Sequence, residues 1–257
     1  MPSIEPALLE LDGVSCGPGG ARVLQHVSLG FDPGGTVTCI IGPNGAGKTT
    51  LFGAITGFIP LGEGNIRFRG KRIDGLPPHR VAQAGIGRLF QDVRAFRRLT
   101  ALENVMVAKP RQPGTRAALA AFWPLVGSAS ERENRRGALE ALDFVGAGDL
   151  ADRIAGELSY GQQKLVALAR LLHLGADCLL LDEPMAGLNP TAVRTVVELI
   201  RRIATAGRTV VVIEHNLNVV RELGDWVYLM DGGRVEAFGP PAEVLRDAAL
   251  NRLFPSL

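Results

Sequence analysis

Apolar and polar positions change their period along this chain, and the changes mark its elements. Near the start, "ALLELDGV" and "VLQHVSLGF" alternate in twos, as strands with one wet face do. "TVTCIIG" follows as a largely apolar run without charge, the pattern of a buried strand. A helix is predicted from Gly47 to about Thr56. A strand pair comes next, "GNIRFRG" and "KRI", then a short helix in "PPHRVAQAG" with proline at its start, then the strand "IGRLFQ". From about 101 to 172 the period turns helical, with segments near 101–108, 115–126, 130–145 and 161–174. The last of these, "LSYGQQKLVALARLL", reads as a capped helix with Ser159 as N-cap. Strand and helix then alternate: strand 178–181, helix 191–205, strand 209–213, helix 216–222, and strands 226–230 and 234–238. α/β segments therefore bracket an all-helical block, which predicts an α/β core over 1–98 and 175–257 and an inserted helical subdomain over 99–174.

Composition narrows the class. The chain of 257 residues, 46% hydrophobic and 21% charged, describes a folded globular protein. A net charge of +2 argues against a dedicated nucleic-acid surface, so no nucleic-acid partner is expected. Cys16, Cys39 and Cys178 lack metal-type spacing, and the latter two lie inside apolar runs, which predicts buried, inert thiols. "MPSIEPALLELDG" has neither the basic nor the apolar region of a secretory signal. The longest uncharged run, 117–130, is short for a membrane span and is interrupted by Pro124 and Gly127. It reads as packed core of the helical subdomain, or as a segment lying near a membrane surface. A soluble cytoplasmic chain is expected.

Two motifs carry chemistry. "GPNGAGKTT", 42–50, fits G-x-x-x-x-G-K-[ST] and lies between an apolar strand and a helix, the context that motif requires. Gly42, Gly45 and Gly47, with Pro43, Asn44 and Ala46 between them, form a loop whose amides can turn inward around phosphate oxygens. Lys48 would set a point charge at the β- and γ-phosphates, Thr49 would offer a hydroxyl to Mg²⁺, and Thr50 continues the helix N-terminus. "CLLLDEP" ends a buried strand in two carboxylates. Asp182 is placed to hold Mg²⁺ through its water shell, and Glu183 to act as general base on an attacking water.

With "FQ" at Phe90 and Gln91, "LSYGQQ", "LLLDEP" and His215 in "VVVIEHN", the motif order resembles that of the ATP-binding-cassette (ABC) ATPases over nearly the whole chain. The resemblance implies a P-loop nucleoside-triphosphatase core with an N-terminal antiparallel β-subdomain and a helical insertion, using ATP and Mg²⁺. It implies that Ser159, Tyr160, Gly161 and Gln162 form an anion site for the γ-phosphate bound by a second cassette, whether identical or a paralogue. Gln91 would sense metal and water, His215 would contact the γ-phosphate, and Asn189 would stand where an aspartate usually contacts the opposite subunit. By itself a histidine after an apolar strand is more often structural, so the assignment of His215 rests on the motif order. No aromatic residue falls between Val14 and Leu24 to stack adenine, which leaves Pro18 and Val23 as apolar candidates. The single cassette, without coiled-coil arms or zinc modules, resembles transport ATPases more than soluble ABC ATPases. Tyr160, Asn189, "ITGF" and "RLFQDVRAFRRLTALENVMVA" resemble the branched-chain amino-acid importers, with urea- or short-amide importers and lipopolysaccharide exporters as neighbours. The implied partners are two membrane permease subunits and a periplasmic or lipid-anchored solute-binding protein, the chain being peripheral on the cytoplasmic face of the bacterial inner membrane. Arg88, Arg94, Arg97 and Arg98 read as a solvated basic face or as a contact to a permease loop or anionic headgroups.

Overall fold

The computed structural model describes residues 7–93, 95–109 and 123–246, without the side chains of 123–128. Two compact units emerge. The first takes in 7–91, 177–186 and 193–246 of the described residues, the second 92–176 and 187–192.

The first unit is built on two sheets. Strands β1 (Leu9–Cys16), β2 (Leu24–Phe31), β4 (Leu61–Phe68) and β5 (Lys71–Arg72) form an antiparallel sheet in the order β2-β1-β4-β5. β3 (Val37–Ile41), β6 (Ile86–Leu89), β7 (Cys178–Asp182), β8 (Thr209–Ile213), β9 (Trp226–Asp231) and β10 (Arg234–Gly239) form the second, ordered β10-β9-β3-β8-β7-β6. Only β10 runs antiparallel to its neighbour there. The sequence explains the difference between the sheets. Every residue of β3, β7 and β8 is buried, as in parallel strands covered on both faces, whereas β2 alternates buried and open positions. Phe31, Ile40, Phe52 and Ile66 are all at most 1% exposed and share one core. Burying a side chain of that size contributes roughly 1.5–3 kcal/mol. The Tyr228 hydroxyl ties the two sheets together: it donates to Gly30 O (2.9 Å) and accepts from Gly30 N (3.2 Å).

Helix α1 (Lys48–Ile55) follows β3 directly, and α2 (Pro78–Ala84) precedes β6 with proline in its first turn. Further along the chain, α6 (Pro190–Thr205) and α7 (Leu217–Leu223) flank β8, and α8 (Pro241–Val244) follows β10. Motif residues Lys48, His215, Glu183 and Gln91 come just after β3, β8, β7 and β6, four strands consecutive in the sheet. Their carboxyl ends are where open α/β sheets place ligands.

The second unit is helical: α3 (Ala101–Met106), α4 (Trp123–Phe144) and α5 (Tyr160–Leu174) pack on one another. A capping box opens α3, Glu103 N donating to Thr100 Oγ1 (3.1 Å) and Thr100 N to Glu103 Oε2 (2.8 Å). Asn104, fully buried, donates to the carbonyls of Phe96, Leu99 and Thr100 and accepts from Phe96 N, so the segment before α3 is pinned by one side chain.

The expected break between helices at 126 and 130 is not there. α4 runs without interruption from Trp123 through Gly127 to Phe144. Gly127 lies inside it, and an interior glycine costs only ~1 kcal/mol relative to alanine. The remainder of the helix expected over 115–126, and the apolar run's packing, lie outside the described residues.

Candidate active site

The loop 42–50 needs its glycines. Gly42 (φ 150°), Gly45 (φ 83°) and Gly47 (φ 96°) all take positive φ, and a Cβ on Gly42 would stand 2.0 Å from Met230 O. Lys48 folds back along the loop. Its Nζ donates to Gly42 O and Pro43 O, each at 2.8 Å, and the residue is 6% exposed. Burial lowers its pKa, against the raising influence of the nearby Glu183 and Asp182 carboxylates. Ala46 is buried with its carbonyl accepting from Gly233 N (3.2 Å), while Asn44 and Thr49 are exposed. Val23, Asn44, Gly45, Gly47, Lys48, Thr49, Thr50, Glu183 and His215 line one cavity of about 170 Å³. It is an open groove whose floor is the glycine loop and whose wall is a carboxylate and an imidazole.

Glu183 is held in an unusual way. Its backbone sits in the left-handed region at φ 48°, one of three non-glycine residues so placed among those described. That conformation costs roughly 1–2 kcal/mol for an L-residue. The turn is kept by Glu183 N donating to Ile213 O (3.1 Å), and by partners at both carboxylate oxygens. Oε1 lies 2.7 Å from His215 Nε2, and Oε2 accepts from Gln91 Nε2 at 3.0 Å. His215 is itself fixed from both sides. The Glu214 carboxylate accepts from His215 N and Asn216 N, and the Asn216 side chain caps α7. Glu214 lies one residue past the strand expected over 209–213, and nothing local in the sequence marks it as the anchor of His215.

Asp182 is 3% exposed, and its Oδ2 accepts from Arg88 Nη2 at 2.8 Å. Burial pushes its carboxyl above the usual range, opposed by the hydrogen bond and charge of Arg88. This corrects the reading of Arg88 as part of a solvated basic face. Its side chain is 7% exposed, its neighbours are the Phe52 and Phe90 rings, and its partner is Asp182. Arg97 and Arg98 are exposed, and Arg94 lies outside the described residues. Of the two apolar candidates beside the base, Val23 lines the groove, while Pro18 forms a short 3-10 turn outside that lining.

Among the described residues no three His, Cys, Asp or Glu side chains are grouped to cage a metal. The available donors are the exposed Thr49 hydroxyl, the Gln91 carboxamide and the Asp182 carboxylate. All are hard oxygens, a set that fits Mg²⁺, which keeps several waters and completes its shell with phosphate oxygens.

In the second unit, Ser159 is the N-cap of α5. Ser159 Oγ accepts from Gln162 N (3.3 Å) and Gln162 Oε1 accepts from Ser159 N (2.9 Å), a capping box. Tyr160 is 40% exposed with its ring against Gly187 and 4.9 Å from Lys164 Nζ. Gly161 has no positive φ, and a Cβ there would meet only Leu188 Cδ2, at an ordinary 3.5 Å. Nothing in this unit requires glycine at that place. Asn189 Oδ1 accepts from Ala192 N (2.9 Å) in the first turn of α6.

A glycine loop between a buried parallel strand and a helix, facing a strand that ends in two carboxylates, defines a P-loop nucleotide-binding protein. The particular family follows from comparison: a family model described as ABC transporter matches residues 24–186, and the chain belongs to that family. It is 37% identical to the high-affinity branched-chain amino acid transport ATP-binding protein BraF of Pseudomonas aeruginosa, over 92% of this chain and 93% of that one. A crystal structure of a nucleotide-free ATP-binding cassette from an ABC transporter superposes with a TM-score of 0.83 at 32% identity, covering 97% of this chain and 99% of that one. The dimeric structure of MJ0796, a bacterial ABC transporter cassette, gives 0.73 at 26% identity, over 91% and 98%. No helix among the described residues is long and apolar enough to cross a membrane.

Proposed function

We propose that the chain is the ATP-hydrolysing subunit of an importer of branched-chain amino acids, acting peripherally on separate membrane permeases at the cytoplasmic face of the inner membrane. A second cassette and an external solute-binding protein complete the assembly. The observation that carries the hydrolytic reading is Glu183, strained in the left-handed region and clasped between His215 and Gln91 on the wall of the P-loop groove. Strain of this kind persists where surrounding contacts hold a residue to a task.

ATP phosphates enter the groove along the loop amides of 42–50, and the Lys48 ammonium, buried and already stripped of most of its water, exchanges carbonyl partners for phosphate oxygens. Mg²⁺ supplies neutralisation of the charge on the β- and γ-phosphates, and Thr49, Gln91 and Asp182 are the residues that would hold it. Glu183 takes the proton of the attacking water, with His215 and Gln91 orienting its two oxygens. Ser159, Tyr160, Gly161 and Gln162 present a capped helix start to the γ-phosphate of the second cassette, with Asn189 beside the seam. The absence of any local need for glycine at Gly161 supports that reading, and the dimeric relative supports the pairing. The solute rests on the kinship with BraF. Removing this chain from its host should abolish high-affinity uptake of radiolabelled leucine, isoleucine and valine while leaving uptake of an unrelated sugar intact; undiminished leucine uptake would refute the solute assignment.

A further inference from the structure

Arg88 is a buried cation whose surroundings suit orientation better than stability. It lies on β6 across from Leu180, and its guanidinium reaches two residues further along β7 to Asp182 Oδ2. The guanidinium carbon stands 4.6 Å from the Phe90 ring centroid and 5.6 Å from that of Phe52. Phe52 is one helical turn beyond Lys48 in α1, so the packing around Arg88 joins the P-loop helix, β6 and the carboxylate strand. Its Nε is buried with no hydrogen-bond partner, a defect that a pair kept for stability would not carry. Buried ion pairs are in any case replaceable by apolar residues with little loss. Three residues on, Gln91 donates to Glu183. The end of β6 thus grips two consecutive carboxylates in register, Arg88 on the first and Gln91 on the second.

We propose that Arg88 is a positioning residue for the metal site: it binds Asp182 Oδ2 so that Oδ1, which has no partner among the described residues, is the oxygen presented to a cation's water shell. The inference rests on Asp182 being the metal-side carboxylate. A carboxylate ligand is held by such an outer partner, and loss of one typically weakens metal affinity by 10–100-fold. Arg88 replaces a freely rotating carboxylate by one set orientation, at the strand end next to the loop that holds the phosphates.

The test titrates Mg²⁺ into protein with a fluorescent ATP analogue, and measures affinity for the analogue in EDTA on the same samples. Arg88→Met should raise the Mg²⁺ midpoint by about tenfold or more while EDTA affinity stays within about threefold, and Arg88→Lys should recover part of the shift. Asp182→Asn should raise the midpoint alone, and adding Arg88→Met to it should change little more. Should Met at this position prevent folding, Arg88→Gln, which keeps a donor, takes its place in the same cycle. An unchanged Mg²⁺ midpoint in the Arg88 variant, an equal loss of affinity in EDTA, or additive shifts in the double variant would overturn the proposal. An Asp182→Asn variant with an unshifted midpoint would instead overturn the metal reading of Asp182.

Discussion

Glu183 allows a test in which stability and activity must move in a defined pattern. Its φ of 48° costs an L-residue roughly 1–2 kcal/mol, whereas glycine occupies that region freely. Replacing Glu183 by Ala or by Gly removes the same two hydrogen bonds, to His215 and Gln91, so those losses cancel between the variants. What remains is strain relief of about 1–2 kcal/mol in favour of Gly, less about 0.5–1 kcal/mol for the greater freedom of glycine in the unfolded chain. Gly should therefore exceed Ala by about 0.75 kcal/mol, the middle of a span of about 0–1.5 kcal/mol and the reverse of their usual order inside regular structure. For a chain of this size that is a difference of about 1–4 °C in Tm. Scanning calorimetry on the two variants reads it, with phosphate release measured on the same preparations. Both should lose about 10²-fold or more of Mg-ATP turnover, the lower end of a general base's contribution. An Ala variant more stable than the Gly variant would refute the strain, and turnover above roughly a tenth of the unaltered protein's in either would refute the base.

Lys48→Ala should weaken ATP binding in a direct titration, because the phosphates lose their nearest positive charge; unchanged affinity would contradict the phosphate loop. Gly161→Asp should leave Tm within about 2 °C and single-chain ATP affinity unchanged, since its Cβ meets only Leu188, yet abolish hydrolysis by facing a γ-phosphate with a carboxylate. A lowered Tm with weakened ATP binding would sink the reading of Gly161 as part of the opposite site. Burial pushes the Cys39 and Cys178 thiols up to about 12 and raises Cys16, so all three should resist Ellman's reagent at pH 8 until the protein unfolds. Their raised values also mean that unfolded thiols lose protons first: stability should be complete below about pH 9 and fall as pH rises toward 12, as urea titrations at several pH values would show.

What could be read beforehand followed from local rules. β3, β7 and β8 announce themselves because strands covered on both faces are mostly apolar, with only Thr38, Asp182 and Thr209 polar, and the end of β3 meets a glycine loop of fixed spacing. Ser159 was legible as a cap because its partner, Gln162, is three residues away. Arg88 was not, since its charge looks like that of Arg97 and Arg98; only the tertiary pairing of β6 with β7 sets it against Asp182. The left-handed turn at Glu183 was equally hidden, because it is held by Ile213, His215 and Gln91 rather than by a glycine of its own. The unbroken α4 was hidden because the expected break falls at Gly127 and Ser128, whose helix propensities are low and do not decide the matter.

Hydrolysis by this chain turns on the proposal that the carboxylate of Glu183 takes the proton of the attacking water. Glu183→Gln keeps the size of the side chain and a hydrogen-bonding group for each neighbour, but cannot accept that proton. ATP affinity and steady-state phosphate release measured on one preparation test it most directly. Affinity should stay within about threefold of the unaltered chain and turnover should fall by about 10²-fold or more. Turnover above roughly a tenth of the unaltered protein's, with ATP still bound, would contradict it.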